Sequence, residues 1–165
     1  MKTLYLVRHA KSSWDHPELS DFDRPLINTG IKKTKQIIKY LIEKSVSVDL
    51  IISSPAVRAL ETAKLIAGGL DYPLENIKQE PALYEAGIEN YLDLIHKTSD
   101  KINSLMIFGH NLTITRVANI FLDKGIDILP TSGIVAITFK TEHWLEISKI
   151  QPEQKFVVFP KMLKP

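Results

Sequence analysis

Three short apolar runs most constrain the fold of this 165-residue chain. They cover residues 4–7, 50–52 and 105–108, and the apolar residues in each are continuous rather than alternating. Central strands of a parallel sheet have this pattern because both of their faces are buried, whereas a half-exposed strand alternates. The runs therefore predict three central strands of a sheet that is covered on both faces.

A helical pattern follows each run, at once or after a loop. Gly68-Gly69 is expected to end the second helix, and Asn111 to cap the start of the third. Residues 89–102 predict another helix. The apolar stripes consist of Ile31, Ile38, Leu41 and Ile42, then of Ala59, Leu60, Ala63, Ile66 and Ala67, and then of Val117, Ile120 and Phe121.

Strands that alternate with helices predict an α/β protein, with helices on both faces of a mostly parallel sheet in a three-layer α/β/α sandwich. Residues 134–139 and 144–150 are expected to add two strands, as a hairpin at the sheet edge. The apolar tail 156–165 is expected to pack on the same body. The length predicts a single domain that covers residues 1–165.

Composition excludes several classes of function. The formal net charge of +2 gives no indication of binding to nucleic acid or to a membrane. The chain has no cysteine, so disulfides, thiolate nucleophiles and zinc–thiolate sites are absent. No signal-peptide pattern or bilayer-length apolar stretch is present, and we expect a cytoplasmic protein. The oligomeric state is not predictable from these features.

Polar side chains follow each of the three predicted strands. The first strand runs into Arg8-His9, the second into Ser53–Arg58 as "SSPAVR", and the third into "GHN" at 109–111. Ligands of open α/β sheets bind beyond the carboxyl ends of the strands. We therefore expect His9, His110, Arg8 and Arg58 to converge at one edge.

The "SSPAVR" segment predicts an anion site. Ser54 is expected to cap a helix whose first residue is Pro55, which places Arg58 in the first turn. A helix start offers free amide donors, and a planar guanidinium suits a phosphoryl group. The five histidines lack metal-ligand spacing, and neither a Walker loop nor G-x-G-x-x-G is present. We predict chemistry without metal or other cofactor.

Six motifs, in this order, resemble the histidine phosphatase superfamily, which has the phosphoglycerate mutase-like fold, and its small SixA-type phosphohistidine phosphatase branch in particular. They are "LVRHAKSSW", "DFDRPLINTG", "DLIISSPAVRALETA", "LYEA", "IFGHN" and "TSGIVAI". The resemblance covers most of the chain. One departure is Ala10, because the common superfamily triplet is Arg-His-Gly.

The resemblance implies that His9 is a nucleophile that forms a covalent phosphohistidine, which water then hydrolyses. It also implies that Arg8 and Arg58 bind the phosphoryl oxygens and that His110 stabilises their charge in the transition state. Neighbouring arginines disfavour imidazolium, so His9 is expected to be neutral near pH 7.

Other residues have two interpretations each. Glu85 of "LYEA" is either the proton donor to the leaving group or a brace for its loop. Arg24 is either a third phosphate or substrate contact or a brace against Asp21 or Asp23. Ser12 lines the pocket or serves in capping and turns. A further set is interpreted as a solvated helix face rather than a docking patch, namely the lysines at 32, 33, 35 and 39.

The resemblance implies that the substrate is phosphohistidine on a signalling or phosphotransfer protein. Two alternatives stay open. One is an enzyme that acts on a small phosphate ester, either a phosphomonoesterase or a mutase. The other is a non-catalytic module that recognises phosphorylated partners, although pure binding does not need a nucleophile.

Overall fold

A six-stranded sheet forms the centre of the computed structural model, which describes residues 1–164. The strands are β1 (Lys2–Arg8), β2 (Leu50–Ser53), β3 (Lys78–Gln79), β4 (Ser104–Gly109), β5 (Ile134–Phe139) and β6 (Gln154–Val158). Their order in the sheet is β3-β2-β4-β1-β5-β6. The β1, β2, β3 and β4 pairings are parallel, while β5 is antiparallel to both β1 and β6. Five strands therefore share one direction.

Two helices cover each face of this sheet. They are α1 (Asn28–Glu43), α2 (Val57–Gly69), α3 (Ile88–Lys97) and α4 (Thr113–Phe121). Leu4 and Leu6 of β1 pack in one apolar cluster with α3 and α4, whereas Tyr5 and Val7 pack in a second cluster with α1 and α2. Successive side chains of a strand point to opposite faces, so a continuous apolar run serves both layers. The predicted three-layer sandwich is confirmed.

The prediction of a strand over 144–150 is wrong. Trp144–Lys149 forms a 3-10 helix. The edge strand beside β5 is β6, which overlaps the start of the predicted apolar tail 156–165. Trp144 and Ile147 are both fully buried, three residues apart. That spacing puts both side chains on one side of a 3-10 helix, which makes three residues per turn. Pro165, the last residue of the predicted tail and domain, lies outside the described residues.

Two predicted helix starts are also wrong. α2 begins at Val57 rather than at Pro55, and its N-cap residue Ala56 makes no side-chain cap. α4 begins at Thr113 after Leu112, so Asn111 is not its cap. Asn111 instead donates to the carbonyl of Leu129 at 3.0 Å. Asn111 therefore holds a loop near the end of β4 and does not cap a helix.

Two other differences concern where α3 ends and which residues of α1 are buried. α3 ends at Lys97 rather than at 102, because Thr98 is extended. The buried face of α1 includes Ile37 and Leu41, whereas the predicted stripe member Ile42 is 55% exposed. Over residues 1–164, no helix is both long and apolar enough to cross a membrane.

Candidate active site

A cavity of about 440 Å³ lies where β1 and β4 end and α2 begins. Arg8 of β1 pairs in register with Gly109 of β4. The His9 amide then donates to the carbonyl of Gly109 at 3.3 Å, and the Ser54 amide to that of Phe108 at 3.0 Å. The parallel register therefore aligns the residues that follow the three strands. The lining residues are Arg8, His9, Lys11, Ser12, Trp14, Arg24, Lys33, Arg58, His110, Asn111 and Thr131.

His9 presents an unprotonated ring nitrogen to this cavity. Its Nδ1 lies 2.7 Å from the carbonyl oxygen of Ala10, a contact that requires the proton on Nδ1 and leaves a lone pair on Nε2. The side chain of Arg58 approaches this Nε2 with its Nε at 3.4 Å. Burial, assisted by the charges of Arg58 and Arg8, lowers the pKa of His9 to about 3. His9 is therefore a neutral imidazole whose Nε2 lone pair accepts from Nε of Arg58.

Hydrogen bonds between the residue after His9 and helix α2 hold Arg58 near the His9 ring. The amide of Ala10, a fully buried residue, donates to Thr62 Oγ1 at 2.9 Å, and the Thr62 hydroxyl donates to the carbonyl of Arg58 at 2.7 Å. The start of α2 is thereby bound to the residue that follows His9. Ala10, the departure from the family triplet, is accommodated without exposure.

His110 is the second buried imidazole of the cavity. Its ring centroid lies 5.3 Å from that of His9, and its Nε2 is 2.8 Å from the hydroxyl oxygen of Ser54. Burial and the nearby charge of Arg58 lower its pKa to about 4. Ser54, predicted to cap α2, thus serves to orient His110.

Two buried side-chain nitrogens within residues 1–164 have no hydrogen-bond partner, and both belong to this cavity. They are Nε of Arg8 and Nδ1 of His110. Arg8 is held in place through Nη1, which donates to the carbonyl of Leu129 at 3.0 Å. A buried polar atom without a partner costs about 1–3 kcal/mol. Two residues that line the cavity therefore carry nitrogens whose hydrogen-bonding capacity the protein leaves unused.

The loop side of the cavity is organised around Asp21. Its carboxylate accepts from Arg58 Nη2 at 3.0 Å and from Arg24 Nε at 3.1 Å, and its carbonyl accepts from Arg58 Nη1 at 2.6 Å. Arg24 also donates to the hydroxyl of Ser12 at 2.8 Å. Arg24 therefore braces its loop through Asp21 and also lines the cavity, and its role as a third phosphate or substrate contact stays a prediction. Ser12 lines the cavity as well.

Glu85 is not brought to the cavity. It is exposed, does not line the cavity, and has a φ of 55°, which is unusual for a residue other than glycine. The preceding residue, Tyr84, donates its hydroxyl to Asp21 at 2.8 Å and stacks edge-on against His110 at 5.8 Å. The proton-donor role of Glu85 stays a prediction.

Sequence reasoning did not give a site role to Tyr84 and treated Asp21 only as a brace for Arg24. The signal for Asp21 is its place three residues before Arg24, a spacing that lets the two side chains pair within one turn. The signal for Tyr84 is weaker, because an aromatic residue beside a glutamate is ordinary in any loop.

The remaining features of the described residues do not compete with this site. A larger cavity of about 940 Å³ lies around the amino end of β1, and its lining includes Met1, Thr3 and Lys44 but no histidine or arginine. Among the described residues, no three His, Cys, Asp or Glu side chains are grouped so that they could hold a metal ion. Independence from metal stays a prediction.

Comparison with known proteins gives the chain a family. The histidine phosphatase superfamily (branch 1) matches residues 4–106. An uncharacterised chloroplastic protein of Arabidopsis thaliana is 35% identical over 118 residues, which are 67% of this chain and 54% of that protein. The chain thus spans about half the length of this relative.

Solved structures agree with this match. A protein of Agrobacterium tumefaciens that is assigned as the phosphohistidine phosphatase SixA is 29% identical, with a TM-score of 0.76 over 82% of this chain and 90% of that one. The protein histidine phosphatase SixA in complex with tungstate has a TM-score of 0.82 at 18% identity, over 98% and 99%. The ecdysone phosphate phosphatase of Bombyx mori has the same fold, with a TM-score of 0.64 at 14% identity over 85% and 90%.

Proposed function

The chain belongs to the histidine phosphatase superfamily (branch 1), and from this premise we propose that it removes phosphoryl groups through His9, acting on phosphohistidine of a signalling or phosphotransfer protein. One observation carries the proposal. The unprotonated Nε2 of His9 faces a cavity that Arg8, Arg58 and His110 also line.

In the first step, the lone pair on Nε2 of His9 attacks phosphorus. A new N–P bond forms while the bond from phosphorus to the leaving nitrogen breaks, and that nitrogen keeps the bonding pair. Charge on the equatorial oxygens is stabilised by the guanidinium groups of Arg8 and Arg58 and by the ring of His110. No oxidation or reduction takes place.

In the second step, water attacks the phosphorus of phospho-His9. The P–O bond forms as the N–P bond breaks, and the electron pair returns to Nε2. The water loses one proton to solvent or to the phosphate product, so inorganic phosphate leaves and the neutral ring is restored. The low pKa of His9 and the Nδ1 contact with Ala10 favour the same tautomer at the start of each cycle.

The make-up of the cavity favours phosphohistidine over an alkyl phosphate. Among the described residues that line it, none carries a carboxyl group. An alkoxide leaving group needs a strong proton donor, whereas an imidazole that is already protonated leaves without one. Substrates with a good leaving group therefore suit this site best.

A small phosphate ester is the second candidate substrate. The structural likeness to the ecdysone phosphate phosphatase is the observation that favours it, since that protein acts on a small molecule within the same fold. A cavity of about 440 Å³ also admits a small ligand. A cytoplasmic location remains a prediction from the sequence.

Trapping the covalent intermediate tests the proposal. We expect brief incubation with phosphoramidate, followed by an alkaline quench, to add one phosphoryl group to His9, detectable by mass spectrometry of peptides. His9→Ala should lose turnover of a phosphohistidine peptide by about 10⁴-fold or more, because the nucleophile is absent. It should still bind inorganic phosphate through Arg8, Arg58 and His110.

Parallel assays with p-nitrophenyl phosphate and with sugar phosphates separate the candidates. Turnover of sugar phosphate alone would contradict the assignment of phosphohistidine. A wild-type protein that binds phosphate but turns over none of these substrates would be a recognition module.

A further inference from the structure

The catalytic cavity carries more positive charge than a phosphoryl group can neutralise. Five cationic side chains line it. Asp21, paired with Arg24 and Arg58, offsets one of these charges, and His9 and His110 are neutral at pH 7. About four positive charges then face a group that carries about two negative charges at most. The excess comes from Lys11 and Lys33, which have no role in the proposed chemistry.

Lys11 and Lys33 occupy the same wall of the cavity. The start of α1 lies directly against the backbone of Lys11, because a Cβ at Gly30 would collide with the Lys11 carbonyl oxygen. The amide of Ile27 donates to that carbonyl at 3.1 Å. Lys33 follows Gly30 by three residues, so it projects from the same side of α1. Both lysines therefore line the cavity from the side where α1 lies against the Lys11 backbone.

Neither ammonium group is neutralised by the protein. Both lysines are exposed, and in the part of the chain that the structure describes neither has a carboxylate within ion-pair distance. The other exposed lysines of α1 face elsewhere. Lys35 and Lys39 line a separate groove beside Leu163. Lys33 therefore differs from the solvated lysine face that the sequence predicts for this helix.

Trp14 completes this wall at its outer edge. Trp14 is 78% exposed although it lines the cavity. The guanidinium carbon of Arg24 lies 3.6 Å from the centroid of the Trp14 ring. One face of the indole is thus covered, and the rest of the ring is presented to solvent. Exposed tryptophans of this kind are typical of surfaces that contact another protein.

We propose that Lys11, Lys33 and Trp14 form a second subsite, which binds an acidic residue adjacent to the phosphorylated side chain of a protein substrate. The subsite depends on the phosphatase activity proposed above and specifies the surroundings of its target. Charge complementarity selects a carboxylate for the two lysines. A polypeptide is favoured over a small ester because it extends beyond the cavity, where the Trp14 ring offers contact area.

A pair of phosphohistidine peptides tests the subsite. The two peptides are identical except that glutamates flank the phosphohistidine in one and glutamines in the other. We expect wild-type kcat/KM to be about fivefold higher for the glutamate peptide, since each exposed ion pair contributes a modest factor. The double variant Lys11→Ala/Lys33→Ala should lower this ratio to about one. The matched control Lys35→Ala/Lys39→Ala should keep it.

The ratio decides the inference, and turnover itself decides the proposed function. Equal wild-type rates on both peptides, or a ratio that persists without Lys11 and Lys33, would overturn the subsite. A lysine-dependent preference for phosphoglycolate over ethyl phosphate, with none between the peptides, would assign the subsite to small ligands and contradict the protein substrate.

Fluorescence gives a readout that does not need turnover. Of the two tryptophans, Trp144 is fully buried, so acrylamide quenching reports on Trp14. In the His9→Ala protein, we expect the glutamate peptide to protect Trp14 from quenching at lower concentration than the glutamine peptide. Trp14→Phe should abolish the signal. Protection that is equal for both peptides would reject the subsite even if the protein proved to have no phosphatase activity.

Discussion

The two sides of the candidate active-site cavity are built differently. On the strand side, His9 and His110 follow paired strands and are held by the backbone register of β1 and β4. On the loop side, Asp21, Arg24 and Tyr84 belong to two short 3-10 segments and their flanks, and their side chains hold one another through ionic and hydrogen-bonded contacts. The strand side is positioned by the core of the protein, whereas the loop side depends on a network of ionic and polar contacts.

This difference has an electrostatic counterpart. Burial lowers the pKa of both imidazoles, to about 3 for His9 and about 4 for His110. The carboxyl group of Asp21 is half-exposed. Burial raises the pKa of this carboxyl group, but the hydrogen bond from Tyr84 and the charge of Arg58 outweigh that effect and lower the pKa from its ordinary value. The fold therefore keeps the strand side neutral by desolvation and the loop side ionised by pairing.

The largest predicted effect concerns stability in acid. A histidine whose folded pKa lies below its unfolded value of about 6.5 stabilises the protein fully above that value, and this stability is lost as pH falls toward the folded pKa. Between pH 7 and 4.5, we expect His9 and His110 each to reduce the free energy of unfolding by about 2 kcal/mol. Urea unfolding followed by circular dichroism measures this loss.

Single variants separate this contribution from other titrations. His9→Asn should remove about half of the predicted loss between pH 7 and 4.5, because only one buried imidazole remains. His143 is exposed, and its hydrogen bond to Asp100 raises its pKa, so His143→Gln should make the loss slightly steeper. The pKa of Asp21 is lowered from its ordinary value by Tyr84 and the arginines, so its titration lies mainly on the acid side of this window. An unchanged slope in His9→Asn would contradict the neutral buried state of the ring.

The strand side of the cavity can be predicted from the sequence, whereas the contacts of the loop side cannot. Continuous apolar runs determine which strands lie at the centre of the sheet, and parallel strands bring their carboxyl ends together. The convergence of Arg8, His9, Arg58 and His110 could therefore be predicted before any coordinates. The part played by Tyr84 could not be, because its contact with Asp21 joins residues 63 positions apart and no periodic pattern encodes that loop approach.

The edge of the fold shows the same limit. The segment 144–150 has apolar residues that suit a strand as well as a 3-10 helix, and the burial of Trp144 against the α3 and α4 layer decides between them. The predicted starts of α2 and α4 are wrong because the side chains of Ser54 and Asn111 form hydrogen bonds with His110 and with the carbonyl of Leu129. Tertiary partners of polar residues are not visible in local sequence.

The second prediction tests whether the loop side positions the arginines. Asp21→Asn keeps the shape of the side chain but removes the charge that pairs with Arg24 and Arg58. We expect kcat to fall about tenfold, since misplaced guanidinium groups stabilise the transition state less well. The inhibition constant for inorganic phosphate should decrease, because a carboxylate no longer competes for the same donors. Steady-state kinetics with phosphate as inhibitor measures both quantities.

Asp23→Asn is the matched control for this variant. It makes the same charge change two residues away, and its carboxylate accepts only from the Ser20 hydroxyl at 3.0 Å within the described chain. We expect kcat within about twofold of wild type, as is usual for surface substitutions. If kcat and phosphate affinity fell together in Asp21→Asn, the carboxylate would belong to the binding site itself rather than position it.

The smallest effect is expected at Glu85, which follows Tyr84 on the loop side but makes no side-chain hydrogen bond among the described residues. Its backbone has a φ of 55°, and a left-handed conformation costs a residue with a side chain about 1 kcal/mol. Such a conformation is retained where the surroundings impose it, which is consistent with a functional loop. The side chain is exposed and has no hydrogen bond within residues 1–164. A role in catalysis would therefore require the loop to bring the carboxyl group to a bound substrate.

Glu85→Gln distinguishes a proton donor from a loop residue through the leaving group. Turnover of a phosphohistidine peptide should change less than about twofold, because the imidazole leaves in its protonated form. If Glu85 is the donor, turnover of an alkyl phosphate should fall further than turnover of the peptide, and its acid-side pH profile should shift, because the alkoxide depends on that proton. Equal small changes for both substrates would assign Glu85 to the loop and leave solvent as the proton source. A large loss on the phosphohistidine peptide would instead show that the strand side is not sufficient for catalysis, which is the strongest challenge that one substitution can make to the division drawn between the two sides of the cavity.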